Sequence, residues 1–270
     1  MVMRMKISEI LEYTEFRSFL NRAKTVKTLL IGDICTDIYW SCDMTKSRLS
    51  RETPHFPLPV VRERMSLGAG GNAAGCIKSL GVSDLSVIGV VRNDWRGECL
   101  RRLLAERGIP DDSVIAERTG FTNAYIKPMK FVFSGEEVEC AAALGKTPDR
   151  NADISEYALL AKELSDKMGS GVCMTVGDKG SITVNGSAKL IPAVAIKPPF
   201  DVVGAGDCFL SAFSTAVAAG FPFEKAALFG NMASSIVVKK IGTTGSASPE
   251  ELETTYAERE VNSEKGIMNI

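Results

Sequence analysis

The sequence has no long hydrophobic run, no paired-cysteine motif and only one histidine. No apolar run approaches the roughly 18 residues that a helix needs to cross a bilayer. The seven cysteines include no C-x-x-C pair, which argues against a zinc site, and their odd number favours reduced thiols. Lys and Arg number 32 against 33 acidic residues, so no excess charge favours nucleic acid or an anionic membrane. We therefore expect a cytoplasmic protein without nucleic-acid or membrane partners.

Short apolar runs alternate with amphipathic stretches along much of the chain. "VKTLLIGDI" and "LSVIGVV" are typical of buried strands, whereas "GNAAGCIKSLG" and "DWRGECLRRLLAERG" are typical of helices. Farther on, "ISEYALLAKELSDKM", "GVCMTVG" and "GSITVNG" predict a helix and two strands, and "EEVECAAALG" predicts another helix. This alternation indicates βαβ units and a mostly parallel sheet covered by helices.

Two further features set the predicted domain organisation. The first 25 residues or so predict an amphipathic helical extension, with Ile7, Ile10, Leu11 and Phe16 on one side. Prolines interrupt the aromatic and β-branched residues of segment 38–67, which favours an extended β flap, or lid, that also includes 121–130. We see no linker or repeat, and predict a single α/β domain over residues 1–270.

The stretch "DVVGAGDCFLSAF" places glycines and an aspartate where an apolar helix begins. The first turn of a helix has unpaired N–H groups and a partial positive charge, which suit a phosphate group. Gly204, Ala205 and Gly206 would let an anion approach the backbone, and Asp207 could accept a proton from an attacking hydroxyl. The alternative is that Asp207 interacts only with the helix dipole.

Several motifs occur in the order seen in one enzyme family. D-x-x-G-A-G-D, "LGAGGNAAGCIKSLG", "GDICTD", "TVGDKG" and "VVKKIGTTGSASP" together resemble the signatures of the ribokinase-like (PfkB) sugar kinases, over about residues 28–250. Within that family, the run "IYWSCDMTKSRLSRETPHFPLPVV" is most similar to the heptose-phosphate kinase branch. The resemblance implies a three-layer αβα sandwich with a small β lid. It also implies ATP-dependent phosphorylation of a sugar or sugar phosphate.

The resemblance also implies roles for individual residues. Asp207 would take the proton from the sugar hydroxyl, beside an anion hole formed by Gly204, Ala205 and Gly206. The sugar would be held by Asp37, Gly70, Gly71 and Asn72. The ATP side would be bordered by Thr175, Gly177, Gly180 and Asn231.

Simpler alternatives stay open for several of these residues. Asp37 could be a turn residue after a strand, and Thr175 with its glycines could form a simple hairpin. Lys46, Arg48 and Arg51 could bind a phosphate on the substrate or form a solvated face. His55 is expected to belong to the lid rather than to catalysis.

The middle of the chain departs from the family pattern. Between "NAYIKPMK" and "EEVECAAALGK" the family has further strands and helices, with an N-x-x-E motif that positions magnesium through water. Glu139 is the best match to that glutamate, with Glu136 or Glu137 as alternatives. Because losing these strands would expose sheet edges, we favour a tract missing from this sequence over a compact kinase.

The implied cofactors are ATP and Mg²⁺, and a monovalent cation such as K⁺ is a further one that the resemblance allows. The implied partner is a small-molecule sugar or sugar phosphate, and a homodimer formed through the lid is a further expectation. A nucleotide- or sugar-binding protein without turnover is the alternative function, because the magnesium motif is incomplete. A dinucleotide-dependent oxidoreductase is disfavoured, since no G-x-G-x-x-G follows the first strand.

Overall fold

The computed structural model describes residues 4–50, 52, 57–128, 143–146, 153–263 and 265–270. The α-helices in these residues are α1 Tyr13–Ala23, α2 Gly70–Ser79, α3 Trp95–Glu106, α4 Ile154–Met168, α5 Ala205–Ala218, α6 Phe223–Val237 and α7 Pro249–Glu258. The strands are β1 Met5–Lys6, β2 Lys27–Ile31, β3 Ile34–Cys42, β4 Val60–Ala69, β5 Asp84–Arg92, β6 Val114–Glu117, β7 Ala124–Pro128, β8 Val172–Thr175, β9 Gly180–Asn185, β10 Ser187–Pro192, β11 Glu260–Val261 and β12 Met268–Asn269. In this part of the chain, no helix combines the length and hydropathy that a bilayer crossing requires.

The chain divides into two compact units. The first unit comprises residues 1–28, 73–85 and 135–270, and the second comprises residues 29–72 and 86–134. The segments predicted as a lid fall within the second unit. The single-domain organisation stays a prediction.

The N-terminal helix begins later than its amphipathic pattern predicts. α1 starts at Tyr13, where the backbone N–H of Glu12 donates to the side chain of Glu15 at 3.2 Å and closes the first turn. Ile7 and Leu11 precede α1 in a short 3-10 helix and turn, yet both are fully buried. The apolar pattern therefore predicted the burial of Ile7 and Leu11 correctly, but the local turn before Tyr13 delays the start of the helix.

Aromatic stacking organises the core of the first unit. Phe19 of α1 stacks on Phe229 of α6 with ring centroids 4.0 Å apart, and Phe16 stacks on Tyr256 of α7 at 4.6 Å. Helix α5 joins the same core through buried residues that include Cys208 and Phe209. This packing fixes the helix whose first turn carries the G-A-G-D motif.

A four-stranded antiparallel sheet completes the first unit, in the order β12-β10-β9-β8. Helix α4 has the bounds that its sequence predicts, and it packs Ala161 and Leu164 into a cluster with Ile182 of β9. Strands β8 and β9 were also predicted from the sequence, but β10 was not. The stretch after β8 is therefore a run of antiparallel hairpins.

The second unit contains two three-stranded sheets. In one, with order β2-β5-β6, strands β5 and β6 are parallel and helix α3 joins them along the chain, as the predicted βαβ unit requires. In the other, β3 pairs antiparallel with β4 and parallel with β7. The register places Asp37 between Ser66 and Tyr125, and Tyr39 between Arg64 and Lys127.

Candidate functional site

The first turn of α5 has the geometry of an anion-binding helix N-terminus. Gly204 caps the helix in the left-handed conformation, at φ 82°, which suits glycine because it has no Cβ. Ala205, Gly206 and Asp207 form the first turn. No heavy atom lies within 4 Å of where a Cβ on Gly206 would stand, so this turn has room for a ligand.

Asp201, the first aspartate of D-x-x-G-A-G-D, braces this turn. Its Oδ1 accepts from the backbone N–H of Val203 at 3.1 Å, and its Oδ2 accepts from that of Gly242 at 3.0 Å. Its own N–H donates to the carbonyl of Val238 at 2.8 Å. The late glycine/threonine loop and the end of α6 are thereby tied to the segment that enters α5.

One cavity of about 360 Å³ collects most of the residues predicted for the first unit. Its lining includes Thr175, Gly177, Gly180 and Asn231 from the predicted ATP side, and Ala205 and Gly206 from the predicted anion hole. Apolar side chains that the sequence reasoning did not single out also line it, namely Phe200, Val202 and Phe209. Gly204 and the half-buried Asp207 belong to the same helix turn rather than to the cavity lining.

The two glycines of "TVGDKG" are required for different reasons. Gly177 has φ 59° and no atom near its Cβ position, so it supplies the turn and leaves space. Gly180 has φ 110°, and a Cβ there would stand 2.1 Å from the carbonyl oxygen of Ile191. The segment joins the antiparallel strands β8 and β9, so the hairpin alternative is correct, and the same hairpin lines the cavity.

Asn231 has a structural role in addition to its place in the cavity. It is buried on α6, and its Nδ2 donates to the carbonyls of Ile191 and Pro192, each at 3.1 Å. These bonds hold the end of β10 at the cavity wall. Its predicted position beside the adenine stays a prediction.

Asp37 lies at the centre of the predicted sugar side, in the second unit. Its side chain is buried on β3, and its Oδ2 accepts from Lys127 Nζ at 2.7 Å and from the Tyr39 hydroxyl at 3.3 Å. Burial lowers the pKa of Lys127, but the hydrogen bond and the charge of Asp37 outweigh burial, so that pKa is raised from its ordinary value. Asp37 is thus a strand residue with a cationic partner, not a turn residue.

The glycine that lies against Asp37 is Gly68, which sequence reasoning missed. A Cβ on Gly68 would stand 2.6 Å from Asp37 Oδ1 and 2.7 Å from Cys35 Sγ. Gly70, which was predicted, instead donates its N–H to the carbonyl of Asp33 at 2.9 Å. The sequence has several glycines in one run, and only the pairing of β3 with β4 shows that Gly68 is the one beside Asp37.

The remaining residues are those predicted for the rest of the sugar side, the lid and the metal. A Cβ on Gly71 would make only ordinary contacts with Leu67, and Asn72 is buried. Lys46 forms an exposed ion pair with Asp43 at 3.6 Å. Several predicted residues lie outside the described part of the chain, namely Glu139, its alternatives Glu136 and Glu137, Arg51 and His55. In the described ranges, no three acidic, His or Cys side chains cluster as a direct metal site would require.

The family model described as pfkB family carbohydrate kinase matches residues 124–251. Over these residues the chain is similar to the pfkB carbohydrate kinases. Among curated relatives, the bifunctional protein HldE of Nitrosococcus oceani is 24% identical over 315 residues, which cover 88% of this chain and 65% of that protein. The chain therefore spans less than two thirds of that relative's length.

Solved structures confirm the predicted ribokinase-like αβα fold of this chain. The structure of phosphofructokinase-2 from Escherichia coli in complex with potassium gives a TM-score of 0.68 at 16% identity, covering 86% of this chain and 98% of that one. Arabidopsis thaliana ribokinase complexed with ribose and ATP gives a TM-score of 0.66 at 14% identity, with the same coverage. At these identities the likeness establishes the fold alone.

The alignment with the relative from Nitrosococcus also bears on the short middle of this chain. Because 88% of 270 residues is about 238, about 77 of the 315 aligned positions have no residue here. This chain is therefore shorter than that curated relative within the aligned region. The location predicted for the missing tract, between about Lys127 and Glu136, lies mostly outside the described residues.

Proposed function

We propose that this protein is an ATP-dependent carbohydrate kinase that transfers the γ-phosphoryl group to a hydroxyl of a sugar or sugar phosphate. The observation that carries the proposal is the cavity where the "TVGDKG" hairpin meets the first turn of α5. An ATP requirement is supported by the ribokinase neighbour, whose structure is complexed with ribose and ATP. A cytoplasmic location and a homodimer formed through the lid, about residues 38–67 and 121–130, belong to the same proposal.

Asp207 is the proposed general base. Phosphoryl transfer needs little covalent help from the protein, so positioning and charge stabilisation dominate. The carboxylate of Asp207 takes the proton of the attacking hydroxyl, while the backbone N–H groups of Gly204 and Gly206 stabilise charge on the transferred group. The N–H of Ala205, which was predicted to join this anion hole, donates instead to the carbonyl of Val202 at 3.1 Å. The brace from Asp201 keeps this turn in place as charge develops.

The cavity fits a nucleotide by its chemistry. Backbone amides and glycines at one side suit phosphates, and the apolar side chains of Phe200, Val202 and Phe209 suit a base or ribose face. Thr175, Gly177, Gly180 and Asn231 are the proposed nucleotide contacts. Mg²⁺ would neutralise phosphate charge, with Glu139 as its proposed protein partner through water, and K⁺ is a further proposed cofactor.

A phosphorylated sugar is the favoured acceptor. The buried carboxylate of Asp37 suits sugar hydroxyls, with the amide of Asn72 and the backbone at Gly70 and Gly71 as further proposed contacts. On β4 and β7, Arg64 and Lys127 flank the ring of Tyr39, at 3.9 and 5.1 Å from its centroid. The charge of Arg64 would attract an anionic substrate, whereas that of Lys127 is paired with Asp37. The charge of Arg64 and the motif run between β3 and β4 together favour a heptose-phosphate-like sugar.

The test is Asp207→Asn, with turnover of ATP measured across a panel of sugars and sugar phosphates. We expect kcat to fall by about 10²–10⁴-fold or more, while nucleotide binding and the unfolding temperature stay near the wild type. Asp166→Asn, at an exposed position on α4, is the matched control and should leave turnover unchanged. Near-normal turnover by Asp207→Asn would remove that residue from the mechanism.

A binding protein without turnover is the second candidate, and one observation favours it. About 77 aligned positions of the relative have no residue here, and the proposed Mg²⁺ partner depends on that region. If the wild type binds ATP in calorimetry but phosphorylates no member of the panel with Mg²⁺ present, this candidate replaces the kinase.

A further inference from the structure

Four charged or polar side chains share one face of the β4–β3–β7 sheet. Residues of a strand alternate between its two faces, so Asp37 and Tyr39 of β3 lie on the same side. The register brings Arg64 of β4 and Lys127 of β7 opposite Tyr39 on either side. Asp37 is therefore part of a polar face in which two cations flank Tyr39, and one of them, Lys127, pairs with the carboxylate.

The two oxygens of Asp37 have different surroundings. In the described part of the chain, both hydrogen bonds that the carboxylate accepts reach Oδ2, from Lys127 at 2.7 Å and from Tyr39 at 3.3 Å. Oδ1 instead faces the backbone of Gly68, where a Cβ would stand only 2.6 Å away. One oxygen is held by the protein, and the other lies over a surface without a side chain.

We propose that Lys127 is a specificity-determining residue that fixes Asp37 through Oδ2 and so presents Oδ1, above Gly68, to one hydroxyl of the sugar. This inference rests on the proposed function. Lys127 acts through Asp37 and is a positioning residue. The arrangement selects ligands with a free hydroxyl at that position, because a buried carboxylate left without its donor is costly.

The coupling between Lys127 and Asp37 can be measured without any ligand. The lysines are ¹³C-methylated, Lys127 is assigned from the missing signal of Lys127→Arg, and each amine is titrated by NMR. In the wild type we expect the pKa of Lys127 above its ordinary value. In Asp37→Asn it should fall below the wild-type value, because burial then acts without the carboxylate. An unchanged titration in Asp37→Asn would overturn the proposal.

The specificity is tested with the tightest binder from a panel of hexose and heptose phosphates, together with its deoxy analogues. For Lys127→Met we expect at least tenfold weaker binding of that sugar phosphate and reduced discrimination against one deoxy analogue. Nucleotide affinity should stay within about twofold. Lys127→Arg, which keeps the charge, should recover most of the affinity. Lys27→Met, at an exposed Lys–Asp pair, is the matched control and should bind like the wild type.

The outcomes separate this inference from the function on which it rests. Equal losses of sugar and nucleotide binding in Lys127→Met, or discrimination like that of the wild type, would overturn the role of Lys127 alone. If Lys127→Met is unfolded by circular dichroism, the same comparison is made with Tyr39→Phe, which removes only the second donor to Oδ2 and should weaken sugar binding two- to fivefold. If no sugar phosphate binds the wild type, the proposed function fails, whereas the amine titration still decides the coupling.

Discussion

At the scale of single residues, the glycines of the candidate site serve different physical purposes. Gly204 and Gly177 adopt left-handed backbone conformations, and Gly206 leaves open space at a helix N-terminus. Gly68 has no such conformation and instead allows a buried carboxylate to lie against the backbone. Glycine is thus required at some positions for its backbone conformation and at others because a neighbouring group lies too close for a Cβ.

Gly180 combines both requirements, which gives a stability prediction. Gly180→Ala should lower the free energy of unfolding by at least about 2 kcal/mol, because φ is 110° and the new methyl would collide with the Ile191 carbonyl. Gly186→Ala in the next turn is the matched control, since it has φ 87° but open space. Its cost should be about 1 kcal/mol. Urea unfolding of both variants measures the difference, and equal costs would show that the close contact is relieved.

At the scale of elements, one carboxylate joins a helix to a strand. Asp94 caps α3 by accepting from the N–H of Gly97 at 2.8 Å, and it also accepts from the N–H and hydroxyl of Thr122, just before β7. Burial raises the pKa of Asp94, but these hydrogen bonds outweigh burial and hold it below its ordinary value. The cap therefore fixes how the chain enters the strand that carries Lys127.

This cap predicts a pH dependence of stability. Because the pKa of Asp94 is lower in the folded state, its contribution is present above the unfolded pKa of about 3.9 and is lost as pH falls through the folded value. Asp94→Asn should cost about 1–2 kcal/mol at pH 7, and the difference from the wild type should shrink on acidification to pH 3. Urea unfolding of both proteins between pH 7 and pH 3 measures this difference in the free energy of unfolding. A difference that stays constant with pH would show that the charge of Asp94 is irrelevant.

At the scale of the whole molecule, the second unit leaves one sheet face open. Leu29 and Ile31 of β2, Val90 of β5 and Ile115 of β6 are 41–69% exposed, and Val90 and Ile115 are direct neighbours in the sheet. Contiguous exposed apolar side chains usually indicate a surface that something covers. The roughly 77 positions present in the relative would be enough for several strands and helices.

The open face gives a prediction for this chain as it stands. Replacing Ile31 and Ile115 by lysine should change the free energy of unfolding by less than about 0.5 kcal/mol per site, because neither side chain is buried. Binding of the dye ANS should fall, whereas Asp166→Asn, at an exposed position on α4, should leave ANS binding unchanged. Destabilisation by more than about 2 kcal/mol would contradict the prediction, since it would mean that the face is covered in solution.

The sequence by itself determined the features that depend on neighbours along the chain. Helices α2, α3 and α4 follow from apolar periodicity, α3 and α4 also have local side-chain caps, and the G-A-G-D turn follows from glycines at a helix start. Ordered motifs were enough to indicate the family and the ribokinase-like fold. Local patterns carry this information because helix turns and tight loops are satisfied within a few residues.

Only the tertiary structure decided the contacts made across strands. The register of β3 with β4 and β7 placed Gly68, Lys127 and Tyr39 around Asp37, although up to 90 residues separate the partners. Strand β10 was likewise set by its pairing with β9 and with the distant β12. A sequence pattern states which face of a strand is polar, but it does not contain the register. Register depends on how distant strands bury their side chains together.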